Sequence, residues 1–517
     1  MNFSFGTGDA TKAKADALLI PLFDTEVTDA KKRAPALAQA DKKLKGLLLK
    51  TAATEGFKGK AEQSLSFHSH GKIGATRIVL LGLGSRASFN NETLRLAAGR
   101  AVKALGRSRV KSVVVALPVL RETDAGVRAL VEGFELGAYR YDRWRTTNKE
   151  EKAAPKVGSV QLVLPGDLKR TKQLDEAVSL GRKVAAATNW ARDLVNEPAG
   201  TMTPTILAEQ ARAMAEDAGL EISIHEKEEI ENLKMGMFLG VARGSVEPPK
   251  LVHLRYIPKD EEAARRAPIC IVGKAITFDS GGLSLKPTDG MLDMKTDMAG
   301  SAATLGAMKV IAAIAPPFPV HAYFGACENM PSGNAYRLGD VLVSRLGKTV
   351  EITNTDAEGR LVLGDVLAYA AEQKPAIMVD LATLTGACMI ALGHYIAGAF
   401  GDDDRAAWSV LEAARAAGEE VWRLPITELN RDVLKSEVAD MKNSGERYGG
   451  AINAALFLKE FVGSTPWVHL DIAGPSQSPK ERGYHGRGAT GFGVRTLVEL
   501  VRRRTQEINA PAPDAAV

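Results

Sequence analysis

The chain has 517 residues, 45% of them hydrophobic and 25% charged, and its 67 basic against 62 acidic residues leave a net charge of +5. That is the composition of an average globular protein, long enough for two or more domains and a large core. No basic block and no aromatic-interleaved patch suggests nucleic-acid binding as the main task.

The amino terminus, MNFSFGTGDATKAKADALLIPLF, lacks a basic leader directly before an apolar core. Its best apolar run, 17–23, is too short for a signal and reads as a strand. No window approaches a membrane-spanning length. Cys270, Cys327 and Cys388 sit far apart in apolar runs and are odd in number. They read as buried free thiols of a reducing compartment, so the expected location is the cytoplasm, without a membrane partner.

From the start, short β-branched runs alternate with helical patterns. Strands are expected at 16–23, 76–84, 111–120 and 159–165, with a helix over 91–107 that opens on a capping Asn91. These elements define a smaller N-terminal α/β domain over 1–168, read as scaffold or assembly surface because its strands carry no cluster of metal-type ligands. The polar run 146–156 reads as an exposed loop, and a connecting helix follows over 169–195. In 195–204 Pro198 and Pro204 forbid a continuous helix. A larger domain, 196–507, then offers strands at 220–225, 251–257, 267–273, 318–326, 349–353, 376–382 and 467–474. Helical patterns between most of them predict a mostly parallel sheet sandwiched by helices. Sites in such sheets gather at the carboxyl ends of strands. The Pro/Ala-rich tail 508–517 is expected to be disordered.

Two stretches of the larger domain carry unusual chemistry. In NTDAEGRLVL (354–363), between a strand and a helix, Asp356, Glu358 and Arg360 are spaced two apart. On extended backbone the two acids point the same way and repel one another. Alone, such a string is most often a solvated acidic loop. In VGKAITFDSGGLSLKPTDGMLDMKTDMAGSAA (272–303), however, Lys274 follows an apolar strand and Asp279 opens a DSGG turn. Lys286 lies in a polar loop, and Asp297 precedes a helical run. If the four acids share one cleft, two divalent cations would neutralise them. The chain has eight scattered histidines, no HExxH and no CxxC, so a metal site must be oxygen-rich. Lys286 and Arg360 are then left to meet a substrate anion or a developing oxyanion.

Together, NTDAEGRL and VGKAITFDSGGLSLKP resemble the leucine aminopeptidase family of dinuclear metallopeptidases. The similarity extends through CENMPSGNAYRLGD (327–340) and LATLTGACMIALG (381–393). The resemblance implies two divalent ions, Zn²⁺ or Mn²⁺. One is held by Asp279, Asp356 with its main-chain carbonyl, and Glu358; the other by Lys274, Asp279, Asp297 and Glu358. Lysine ligation costs about 4–5 kcal/mol in deprotonation, which a divalent ion behind an apolar strand can supply.

The family's chemistry is hydrolysis of amino-terminal residues from peptides, by a water that bridges the two metals and has lost a proton. A metal fixes the free α-amine, Lys286 steadies the oxyanion, and a bicarbonate ion on Arg360 shuttles the proton, gripped by the planar guanidinium fork. Met294, Thr383, Leu384 and Gly386 align with family positions lining an apolar pocket suited to Leu and similar side chains, although each alone reads equally as core packing. A homohexamer is implied by resemblance only. GATGFGV (488–494) departs from some relatives, with Phe-Gly in place of Arg-Pro, which leaves pocket and interface details open. The alternatives are a two-metal phosphoesterase, an inactive relative that keeps the fold, and an added DNA-binding or regulatory role. Some bacterial relatives bind DNA, but no basic stripe in the first domain indicates it here.

Overall fold

The structure is a computed structural model that describes residues 1–106, 108, 110–146 and 156–510. Most of the expected loop 146–156 and residues 511–517 of the expected tail lie outside the described residues. The chain forms two compact units, 1–186 with 480–486, and 187–479 with 487 onward.

The first unit is built on six strands: β1 (Asn2–Gly6), β2 (Ala15–Phe23), β3 (Ser64–His68), β4 (Ala75–Gly84), β5 (Ser112–Ala116) and β6 (Ser159–Val163). They lie in the order β1-β6-β5-β2-β4-β3, parallel except for β3, which runs antiparallel to β4. The unbroken apolar run of β2 is explained by burial on both faces. Leu19 and Phe23 join the core beneath the helices Asn91–Gly106 and Thr123–Gly137, while Leu18, Ile20 and Leu22 join a second core with Leu37 and Leu48. Two strands escaped the sequence reading: β1, and the edge strand β3, whose side chains alternate between exposed and half-buried. The cap of the helix Asn91–Gly106 is Asn90 and not Asn91, its Oδ1 accepting from the Thr93 amide at 3.0 Å. The 25-residue helix Lys172–Asn196 belongs to the first unit up to Ala186 and to the second from Ala187.

The second unit carries β7 (Glu221–His225), β8 (Lys250–Tyr256), β9 (Ile269–Gly273), β10 (Ala275–Asp279), β11 (Val320–Asn329), β12 (Val341–Val343), β13 (Thr349–Glu351), β14 (Ile377–Ala382), β15 (Ala397–Phe400), β16 (Val421–Arg423), β17 (Met441–Lys442) and β18 (Trp467–Asp471). Its main sheet runs β16-β15-β18-β14-β9-β11-β8-β7, with β10 also on β11. The centre, from β18 through β14, β9 and β11 to β10, is parallel. The β15/β18, β11/β8 and β8/β7 pairings are antiparallel, so the sheet is mixed. The run 349–353 leaves the main sheet: β13 joins β12 and β17 in a small three-stranded sheet. Apolar helices Ala299–Ile314 and Gly359–Ala371 cover the parallel centre. By length and hydropathy, 288–314 meets the criterion for a membrane span, contrary to the sequence reading. However, 78% of that window is buried within the protein, as a core helix is. The three cysteines are free and buried.

What this sheet positions is its carboxyl edge. Lys274 follows β9, Asp279 ends β10, Thr383 follows β14 and Asp471 ends β18. The Lys274 backbone is fixed on two sides, its N–H donating to the Leu381 carbonyl and its own carbonyl accepting from Ser301, both at 2.9 Å.

Candidate metal centre

Asp279, Asp356 and Glu358 converge so that one carboxylate oxygen from each lies within 4.8 Å of the others. The backbone that achieves this is not extended. Glu358 has φ −74° and ψ −39°, already helical, and forms the N-cap of Gly359–Ala371. The two acids therefore meet where a turn feeds a helix.

Two ammonium groups lie among the acids. Lys274 Nζ is 2.6 Å from Asp297 Oδ2, 2.8 Å from Asp297 Oδ1 and 2.9 Å from Glu358 Oε1, and it donates to the Thr383 carbonyl at 3.1 Å. Lys286 Nζ is 2.8 Å from Asp279 Oδ2 and also pairs closely with Asp356 Oδ1. Asp297 further accepts from Thr383 Oγ1 at 2.7 Å. Acids nevertheless outnumber these lysines, and burial makes the surplus costly. Burial and the neighbouring Asp279 push Glu358 up to about 8. Burial also lifts Asp297 to about 6 against the pull of Lys274, and burial with Asp279 raises Asp356. Burial disfavours both ammonium groups, yet Asp297 and Glu358 around Lys274, and Asp279 beside Lys286, hold both above the ordinary lysine value. Glu358 Oε2 is buried with no hydrogen-bond partner among the described residues, an arrangement that costs free energy unless a cation or water meets it.

Two glycines make room for this packing. A Cβ on Gly359 would lie 2.3 Å from Lys274 Cε and 2.6 Å from its Nζ. Gly281 has φ +86°, and a Cβ there would sit 2.8 Å from Asp356 Oδ1. An acid surplus, an unpartnered carboxylate oxygen and hard oxygen donors fit divalent cations.

Arg360 is 8% exposed and donates through Nη1 to the Asn443 carbonyl at 3.0 Å, while its Nε has no partner among the described residues. Burial lowers it to about 10, with Glu358 and Asp471 pulling the other way, so it remains a cation at neutral pH. All eleven residues singled out from sequence line one hollow of about 500 Å³: Lys274, Asp279, Lys286, Met294, Asp297, Asp356, Glu358, Arg360, Thr383, Leu384 and Gly386.

Sequence reasoning missed the buried residues that hold this wall. Asp471 accepts from the Leu384 and Thr385 amides at 3.3 and 3.4 Å and from Thr385 Oγ1 at 2.6 Å, fixing the loop that carries Thr383. Asn443 accepts from the Thr353 amide at 2.9 Å and donates to the Asn354 carbonyl at 2.6 Å. The available signal was a polar residue ending or following an apolar strand, as in WVHLDIAG.

Known proteins resemble this chain over most of its length. A profile of the catalytic domain of the cytosol aminopeptidase family matches residues 189–498, and one of the family's N-terminal domain matches 20–148. A probable cytosol aminopeptidase of Alkaliphilus oremlandii is 44% identical over 497 residues, covering 94% of this chain and 96% of its own. Its counterpart in Gloeobacter violaceus is 45% identical over 500 residues, covering 95% and 97%. Among solved structures, a mutant tomato leucine aminopeptidase superposes with a TM-score of 0.87 at 37% identity, covering 97% of both chains. The bottromycin maturation enzyme BotP in complex with Mn gives 0.82 at 37% identity, covering 95% of this chain and all of its own.

The fold is that of a metallopeptidase. The chain belongs to the cytosol aminopeptidase family and is a metal-dependent aminopeptidase, a peptide hydrolase.

Proposed function

We propose that the hollow binds two divalent ions, Zn²⁺ or Mn²⁺, and releases amino-terminal residues, with preference for Leu and other apolar side chains. Asp279, Asp356 and Glu358 would hold one ion; Lys274, Asp279, Asp297 and Glu358 would hold the other. The observation that carries this reading is the convergence of three carboxylates within 4.8 Å, with one buried Glu358 oxygen unpartnered among the described residues. The Mn named with BotP supports a transition metal in this fold. Such a pair supplies Lewis acidity and lowers the pKa of a water.

The protein's own groups do the rest. Lys286, kept charged by Asp279, donates to the carbonyl oxygen as negative charge develops on it. Arg360 is anchored by one N–H on Asn443 and offers the rest of its fork to a planar anion. A bicarbonate held there by Arg360 would supply general-base chemistry. Met294, Thr383, Leu384 and Gly386 would receive the first side chain. Coordination by Lys274 requires its proton to leave, and a divalent charge in the same carboxylate setting favours that loss.

The 1–168 region would serve as scaffold or assembly surface of a homohexamer, as the family resemblance implies. Three buried free thiols and relatives named for the cytosol support a cytoplasmic location. Stripping the protein with a chelator and restoring Mn²⁺ or Zn²⁺ tests the reading. Hydrolysis of a leucine anilide returns, while an N-acetylated anilide and a phosphate ester remain uncleaved. Full activity of the metal-free protein would refute it.

A further inference from the structure

The segment CENMPSGNAYRLGD has no part in the chemistry above, yet its first residues reach the centre. Asn329 is fully buried at the carboxyl end of β11, in register with Asp279 of β10. Its Nδ2 donates to Asp279 Oδ1 at 2.8 Å and to the Thr355 carbonyl at 2.9 Å. Both partners are acceptors, so the amide orientation is fixed: only the nitrogen end can face them. Its main-chain carbonyl accepts from the Ser280 amide at 3.0 Å and from Ser280 Oγ at 2.7 Å. One residue thus holds the turn after Asp279 and the turn before Asp356, which lie far apart in sequence.

Neighbouring groups close the same seam. Thr355 Oγ1 donates to the Gly281 carbonyl and accepts from the Ser284 amide, both at 2.7 Å. Tyr336, from the same segment as Asn329, donates to the Thr355 carbonyl at 2.8 Å. The chemistry of the clamp is selective. A lysine at 329 would neutralise Asp279 and a carboxylate would repel it. A neutral amide orients Asp279 Oδ1 and leaves the acid its charge.

We propose that Asn329 is a positioning residue of the metal centre, its amide setting the spacing between the turns that carry Asp279 and Asp356. The inference rests on the ligand assignment above. Partners that orient metal ligands typically contribute about 10- to 100-fold to affinity.

The test is calorimetric titration of Mn²⁺ into the metal-stripped full-length protein, alongside thermal melts and leucine-anilide kinetics. Asn329→Ala is expected to weaken at least one Mn²⁺ site by about 10- to 100-fold, with kcat falling more than KM rises. A folded Asn329→Ala protein that binds Mn²⁺ within about twofold of the unaltered protein overturns the proposal, even if its melting temperature drops. If Asn329→Ala does not fold, Asn329→Leu keeps the shape of the side chain and removes its Nδ2 donor to Asp279 and Thr355. It is expected to weaken Mn²⁺ binding several-fold, and unchanged affinity there is equally fatal. Glu358→Ala separates the two levels. Retention of both Mn²⁺ sites in that variant refutes the ligand assignment; loss of binding there, with normal binding in Asn329→Ala, refutes the clamp alone.

Discussion

On the helices Asn91–Gly106 and Thr123–Gly137 of the first unit, buried charge is matched. Arg95 donates to Glu132 Oε2 at 2.7 Å, Arg128 donates to Glu132 Oε1 at 2.7 Å, and Glu92 pairs with Arg95 from one turn away. At the carboxyl edge of the second unit, four acids surround two ammonium groups and Glu358 Oε2 has no partner among the described residues. The first cluster sits on helix faces where opposite charges recur at i,i+3 and i,i+4. The second sits where strands end and turns begin, and its surplus of acid is what a cation would offset. Burial of charge alone therefore does not mark a site; an unmatched sign at the end of a sheet does.

That contrast can be broken in order of effect. Glu358→Ala should lower kcat/KM for a leucine anilide with saturating Mn²⁺ by at least about a thousandfold while the metal-free protein still unfolds cooperatively; activity within tenfold would place the centre elsewhere. Glu132→Ala does the opposite. It removes a buried ion-pair partner from both Arg95 and Arg128 and should cost about 3–5 kcal/mol in urea unfolding, with kcat of the folded fraction unchanged. A stability loss below about 1 kcal/mol would show that the helix pairs are incidental.

A third buried group lies in the second unit. His253 Nε2 is 3.3 Å from His321 Nδ1, which is 3.2 Å from the Tyr323 hydroxyl. Burial first, and then the mutual charge of the pair and Arg255, lowers His253 to about 3; burial and Arg255 lower His321 to about 4. Between these values and the unfolded value near 6.5, only the unfolded chain takes up the protons. The contribution is complete above pH 6.5 and is lost as the pH falls toward 4, by up to about 1.4 kcal/mol per pH unit for each histidine. Raised carboxylates of the centre slope the other way, so the readout is the difference between the unaltered protein and His321→Asn. The variant should lose less stability on acidification, and equal slopes would refute the reading. Smallest of all, Met294→Ala should raise KM for a leucine anilide about three- to tenfold with kcat nearly constant. A fall in kcat alone would move Met294 from the pocket wall to the reacting centre.

How much of this was legible follows from how each feature is written in the chain. The β2 run and the strands feeding Lys274 and Thr383 announce themselves as apolar stretches, and the acids of NTDAEGRL stand out by type and spacing. β10 does not: ITFD is short and follows β9 after a single residue, so the strand that delivers Asp279 merges with its neighbour. The helical backbone at Glu358 was read as extended because spacing of two suits both a strand and a tight turn into a helix. Asn329, Asn443 and Asp471 escaped for another reason. Their partners are from about 25 to 90 residues away, and single polar residues at strand ends carry no periodicity. The return of 480–486 to the first unit is a matter of topology, invisible to local pattern.

Lys274 owes its position to two main-chain bonds, one to β14 and one to the start of the helix Ala299–Ile314. Its amine therefore arrives only once the pairing of β9 with β14 is in place, more than a hundred residues of chain apart. A nascent polypeptide or a partly unfolded one presents acids but no finished pocket, and so cannot capture ions in the enzymatic arrangement. If Lys274 and the acids hold ions as proposed, the complete ligand set exists only once the second unit has closed its sheet.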